Sequence, residues 1–249
     1  MSKIILNNVS KIFESKGNAF KSLDNINLKI EEGEFLCILG PSGCGKSTIL
    51  RLMAGLDKPS TGEILMDNEG VIGPDYRRGM VFQEYSLFPW RNVIDNVAFP
   101  LEMKGTDQEE RYKIAEDYLE IVGLEKFKES KPHELSGGMK QRIAIIRALA
   151  GDPEVLLMDE PFGALDIQTR NQLQKDILKI WEDKGKTIVF VTHSVDEAIF
   201  LGDRVVLMSK GPGKIVKIFD VNIKRIRNRL DPEYLQLKQE IMNLLESGE

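Results

Sequence analysis

No stretch of this 249-residue chain is apolar for long enough to cross a bilayer. Its most apolar runs, residues 34–40, 155–158 and 187–192, fall far short of the roughly 20 residues a spanning helix needs. Cysteine is nearly missing. Cys37 lies in an apolar run and Cys44 in a glycine loop, which reads as two reduced thiols and excludes a disulfide framework. The opening MSKIILNNVSK lacks the apolar stretch and small-residue cleavage site of an export signal. Positive charge is in deficit, with a net charge of -5, so nonspecific nucleic-acid binding through a broad basic surface is disfavoured. There is no internal repeat and no low-complexity segment. The expectation is a soluble protein; if it works at a membrane, a partner holds it there.

With 42% hydrophobic and 29% charged residues, the composition is that of a globular protein with a substantial core. Residues 4–9 and 23–30 alternate apolar and polar side chains and predict strands. Residues 35–39 form a continuous apolar strand, followed by a glycine loop and a helix over about 46–54, the order of an α/β nucleotide fold. Residues 61–66 and 78–82 add strands. From about 89 to 149 the pattern turns helical, with Ile114, Ala115, Tyr118, Leu119 and Val122 at helical spacing behind acidic Asp107, Glu109 and Glu110. Buried strands return at 155–158, 187–192 and 205–208, then a turn at 211–213 and a closing amphipathic helix over 231–245.

Gly40-Pro41-Ser42-Gly43-Cys44-Gly45-Lys46-Ser47-Thr48 fits G-x-x-x-x-G-K-[ST]. Glycines let backbone N–H groups turn toward phosphate oxygens, and the following helix adds its positive end. Lys46 is expected to reach the β- and γ-phosphates and Ser47 to bind Mg²⁺, with Thr48 a further hydroxyl nearby. The strand at 155–158 ends in Asp159 and Glu160. In a parallel sheet these carboxylates reach the edge that carries the glycine loop, Asp159 to hold Mg²⁺ through its water shell and Glu160 to polarise the attacking water. Alone, such a pair reads equally as a solvated strand end; the upstream loop decides for function. His193 follows another buried strand and is placed to contact the γ-phosphate. His133 reads as structural or surface. Gln83, after the strand at 78–82, could ligate Mg²⁺ or hold the water, though a polar strand end competes.

LSGGMKQ (135–141) opens a second helix with Ser136 as N-cap and two glycines. It offers N–H groups to a phosphate but no loop lysine, and a capped helix with a glycine start fits the same residues.

GPSGCGKST, FQE, LSGGMKQR, LLMDEP, GALD and TH stand in the order found in the ATP-binding cassette (ABC) ATPases, which the chain resembles over essentially its whole length. The resemblance implies an α/β fold: a P-loop NTPase core (about 1–88 and 151–210) with an N-terminal antiparallel β-subdomain, an inserted α-helical subdomain (about 89–150) and a tail (about 211–249), together one domain. It implies an ATPase using ATP and Mg²⁺ in a head-to-tail dimer, where Ser136, Gly137, Gly138 and Gln141 of one copy contact the ATP of the other. By the same resemblance Phe13 stacks on adenine, with Phe20 the second candidate, and Ala164, Leu165 and Asp166 link the two sites. Gly163 departs from the serine of many relatives. FQEYSLFPWRNV and the tail from 209 are similar to bacterial nitrate/sulfonate/taurine-type importers. That implies membrane permease subunits, an extracytoplasmic solute-binding protein as indirect partner, and work at the cytoplasmic face of the membrane. Tyr85, Leu87, Phe88 and Trp90 are either a groove for a permease helix or core. An exporter or lipoprotein-release cassette is the alternative, and a non-transport cassette of nucleic-acid handling fits less well.

Overall fold

The structure is a computed structural model, describing residues 2–15, 18–163 and 165–247. Its contacts divide the chain into two compact units. The first comprises residues Met1–Asp75, Leu157–Asp159 and Thr187–Glu249, the second Tyr76–Leu156 and Glu160–Lys186. The second unit thus takes in residues 160–186, which lie outside the helical span expected from sequence.

In the first unit, long strands β1 (Ser2–Ser15) and β2 (Asn18–Glu31) pair antiparallel, and β4 (Thr61–Met66) and β5 (Glu69–Gly70) extend the sheet in the order β2-β1-β4-β5. Along β2 the alternation is plain: Ile26, Leu28 and Ile30 are buried while Asn25, Asn27 and Lys29 are exposed, the mark of a sheet wet on one face. Strand β3 (Phe35–Leu39) is buried at every residue, as a parallel strand covered on both faces must be. It lies parallel to β8 (Thr187–Thr192) and β9 (Arg204–Met208). The order continues β10-β9-β3-β8-β7, with β10 (Ile215–Asp220) an antiparallel edge and β7 spanning Val155–Asp159. Helix α1 (Lys46–Met53) follows β3, and α6 (Val195–Leu201) and α7 (Pro232–Ser247) complete the unit.

In the second unit, β6 (Arg78–Val81) neighbours β7. Helices α2 (Val93–Met103), α3 (Gln108–Ile121), α4 (Gly137–Ala150) and α5 (Ile167–Lys184) follow. Val97 and Ala98 of α2, Ala115 and Leu119 of α3, and Ile143 and Ile146 of α4 share one apolar core. The expected helical stripe of α3 is half realised, since Ile114 and Tyr118 stay half-buried. Asn96 is fully buried and organises the loop before its helix. Its amide oxygen accepts from the Phe88 N–H at 2.8 Å, and its nitrogen donates to the Phe88 and Asn92 carbonyls.

One buried side chain fastens the start of the tail. Arg227 is 5% exposed. It donates to the carbonyls of Ile199, Phe200 and Gly202, where α6 ends, and to those of Val221 and Ile223. A helix leaves its last carbonyls without partners, and a buried cation there satisfies both hydrogen bonding and the dipole. Burial, with the nearby Arg225, draws the guanidinium down to about 10, so it stays charged at neutral pH. Arg227→Met, which keeps the reach and removes the donors, is expected to cost about 3–5 kcal/mol of unfolding free energy, read as a lowered urea midpoint. A loss below about 1 kcal/mol, the weight of an exposed contact, is the contrary result.

Candidate functional site

Five helices carry a side-chain cap: Asn92 on α2, Asp107 on α3, Ser136 on α4, Asp166 on α5 and Ser194 on α6. Helix α1 does not. Its N-cap is Gly45, left-handed at φ 95, with no side-chain hydrogen bond. The leading N–H groups of α1 are therefore presented to the loop of residues 40–45, the arrangement that receives a phosphate. Any side chain at Gly45 would be strained in φ, and its Cβ would stand 2.5 Å from Leu23 Cδ2.

Lys46 is 4% exposed. Its ammonium donates to the carbonyls of Gly40 at 2.8 Å and Pro41 at 3.0 Å, folding the side chain back over the loop. The Ser47 hydroxyl donates to Asp159 Oδ1 at 3.1 Å, joining α1 to the end of β7. The Thr48 hydroxyl bonds that of Ser22 at 3.1 Å. Ser42 and Gly43 are exposed, whereas Cys44 is buried beneath them. His193 is exposed directly after β8. Phe13, 40% exposed, faces Phe20, 58% exposed, across the β1–β2 pair, and the Lys11 ammonium lies 4.9 Å from the Phe13 ring centre.

In the second unit Gln83 is exposed two residues past β6, beyond the strand rather than at its last residue. Glu160 is half-buried with φ 43, a left-handed conformation that costs a non-glycine residue and that clusters at functional sites. Ser136 is exposed, and its Oγ accepts from the Met139 N–H at 3.3 Å; Gly137 and Gly138 are half-buried behind it. Leu165 is buried and Asp166 exposed. The Thr169 hydroxyl and N–H hold the Asp166 carboxyl below its ordinary range. Ala164 lies outside the described residues. Gln141 is 2% exposed, and its amide nitrogen has no hydrogen-bond partner. Leu87 packs against the apolar core, one of the two readings open for it.

The ABC transporter family profile matches residues 23–163. The chain belongs to the ABC transporter family. An uncharacterized ABC transporter ATP-binding protein of Methanocaldococcus jannaschii is 54% identical over 98% of this chain and 91% of its own. An aliphatic sulfonates import ATP-binding protein of Bacillus thuringiensis is 46% identical over 98% of this chain and 96% of its own. A nitrate import ATP-binding protein of Synechocystis is 46% identical over 98% and 95%. Among solved structures, a dimeric post-hydrolysis state of an ATP-binding cassette bound to ADP and Pi superposes with TM-score 0.81 at 38% identity, covering 88% of this chain and 99% of that one. The chain is accordingly an ABC ATPase acting on ATP with Mg²⁺, and it resembles the nitrate/sulfonate/taurine-type importers. Its residues fit both: an uncapped helix start for phosphate, and a hydroxyl and a carboxylate 3.1 Å apart, the hard oxygen donors Mg²⁺ takes beside phosphate.

One part of this ABC site was not legible as such in the sequence. The turn at 211–213 packs beneath the phosphate loop. Gly213 donates its N–H to the Ser22 carbonyl at 2.9 Å, and a Cβ on it would lie 2.0 Å from the Cys44 carbonyl oxygen. Gly213→Ala must therefore push on the phosphate loop. Overpacking of this kind costs about 1–3 kcal/mol, and ATP affinity measured by titration is expected to fall about tenfold. Gly70, whose Cβ would meet nothing within 4 Å, is the control, with Gly70→Ala binding ATP normally.

Proposed function

We propose that the chain energises a membrane importer of nitrate, sulfonate, taurine or a similar small solute, as one cassette domain over residues 1–249 acting in a head-to-tail pair with a second cassette, here a homodimer. The observation that carries this reading is the division of labour between two glycine-led helix starts. One has a lysine, a Mg²⁺ pair and no cap; the other has exposed Ser136, a cap and no loop lysine. The second is half a site, completed by another copy's nucleotide.

Within that reading Phe13 stacks on the adenine and residues 40–48 wrap the phosphates. Lys46 exchanges the Gly40 and Pro41 carbonyls for phosphate oxygens. Ser47 and Asp159 hold Mg²⁺, with Gln83 beside the metal or the water. The ion neutralises charge on the phosphates. Glu160 accepts the proton of the attacking water, and His193 steadies the γ-phosphate end. Ser136, Gly137 and Gly138 supply N–H groups to the partner's ATP, while Leu165 and Asp166 relay between the two sites. ATP favours the closed pair because it binds that state better, and hydrolysis removes the preference.

A groove of about 880 Å³ in the second unit supports a membrane partner. Phe88, Phe99, Met80 and Met103 line it, with Arg78 and Arg147 among its cations. Phe88 packs edge-on against Phe99 at 4.6 Å. Arg147 lies over Phe88 and donates to the Ser86 carbonyl at 2.7 Å. An apolar floor with fixed cations suits an amphipathic helix of a permease subunit. No helix among the described residues is long and apolar enough to cross a membrane itself, and we place the chain at the cytoplasmic face, held by that partner.

Glu160→Gln is expected to bind ATP and elute as a stable dimer with it, while turnover falls about 10²–10⁴-fold; full ATPase activity removes Glu160 as the base. Ser136→Arg is expected to keep monomer ATP affinity within about twofold and to lose ATP-dependent dimerisation and hydrolysis. Failure of that variant to bind ATP as a monomer would return LSGGMKQ to the same-chain site.

A further inference from the structure

Helix α6 has only seven residues, too few to be stable by itself, and it begins two residues after His193. The turn that bears His193 is held by a compact network. The buried Thr192 hydroxyl donates to the Glu197 carboxylate at 2.5 Å and accepts the Ser194 N–H at 3.0 Å. The Ser194 hydroxyl accepts the Glu197 N–H at 3.3 Å. Residues 192–194 are thereby locked to the first turn of α6.

The tail holds α6, a helix that also packs on β3, β8 and β9. At its start, Tyr234 donates its hydroxyl to the Asp196 carbonyl at 2.8 Å, and Arg229 donates to the Asp196 carboxylate at 2.6 Å. Lys238 stands 3.6 Å from the same carboxylate. At its end, Arg227 takes the Ile199, Phe200 and Gly202 carbonyls. Tyr234 is fully buried; burial and Asp196 push its hydroxyl well above the ordinary range, so it remains a donor. The far end of α7 reaches the phosphate loop, where Leu244 and Leu245 line a cavity of about 120 Å³ with Pro41.

We propose that the tail is a positioning element for hydrolysis: Arg227, Arg229 and Tyr234 fix α6, and α6 fixes His193. The tail touches no reacting atom in this account; it sets where the histidine stands. The inference rests on the reading of His193 as part of the hydrolytic site. It implies that any partner or ligand drawing the tail away slows turnover without emptying the nucleotide site.

The chain has two histidines, His133 and His193, so two ring signals suffice to follow the position by NMR. Tyr234→Phe removes one hydroxyl and keeps the packing; Arg229→Ala removes the ion pair, and Arg229→Lys is the conservative rescue. Both Tyr234→Phe and Arg229→Ala are expected to lower kcat about tenfold, since small misplacements of a reacting group are costly, with ATP Kd changed less than about twofold. The His193 ring signal is expected to shift while His133 stays fixed, and Arg229→Lys to recover part of both effects. An unmoved His193 signal, or a kcat equal to the parent in both variants, overturns the inference. His193→Ala in the same assay separates the two claims. If it hydrolyses ATP normally, the reading of His193 falls and the inference with it; if it is inactive while the tail variants are fully active, the inference alone falls.

Discussion

The bond between the Ser47 hydroxyl and Asp159 joins residues 112 apart in sequence, and much of the first unit exists to make it. Ser47 lies in the first turn of α1 because β3 and its loop deliver it there. Asp159 reaches it because β7 is buried to its last residue and ends at the same edge. Neither residue could be held so by local structure. A parallel sheet with both faces covered supplies the rigidity, and the helix start without a side-chain cap supplies N–H groups. Capping α1 as α2–α6 are capped would stabilise it and remove the binding surface. The uncapped start is thus a local concession, and its offsets are visible: Lys46 on two loop carbonyls, Gly213 and Leu23 packed beneath, Thr48 bonded to Ser22.

Sequence made most of this legible because periodicity and glycine spacing report local needs. Residues 35–39, 61–66 and 187–192 were read as strands and stand as β3, β4 and β8. The strands at 4–9 and 23–30 prove to be parts of far longer ones, since their outer ends form an exposed two-stranded ribbon whose polar and aromatic residues carry no burial pattern. Strand β10 was missed for the opposite reason. It is an edge, with Lys217 and Ile218 exposed and only Phe219 buried, so alternation along it is weak.

Side-chain burial was harder to foresee than element type. Gln141 looked like part of an exposed signature and is enclosed. Leu87 and Phe88 read alike as groove or core; Leu87 packs against the core, while Phe88 beside it lines the groove. In each case adjacent residues point to opposite sides, and only the packed structure decides which. Arg227 is the sharpest instance: amid Lys224, Arg225 and Arg229 it reads as one more solvated cation, yet it is the buried one. Little local distinguishes it, because three of the carbonyls it serves stand at the end of α6, 25 to 28 residues earlier in the chain.

That separation carries a consequence for how the protein is made. Gly202, whose carbonyl Arg227 takes, is synthesised 25 residues before it. A ribosome releases the chain from its N-terminus, so α6 emerges with its last carbonyls bare and must wait for its cap. Until Arg227 arrives, this corner cannot close, however complete the phosphate loop already is. Closure of this corner is timed by Arg227 leaving the tunnel, and a nascent chain halted before it carries the nucleotide motifs without the anchored α6 beside them.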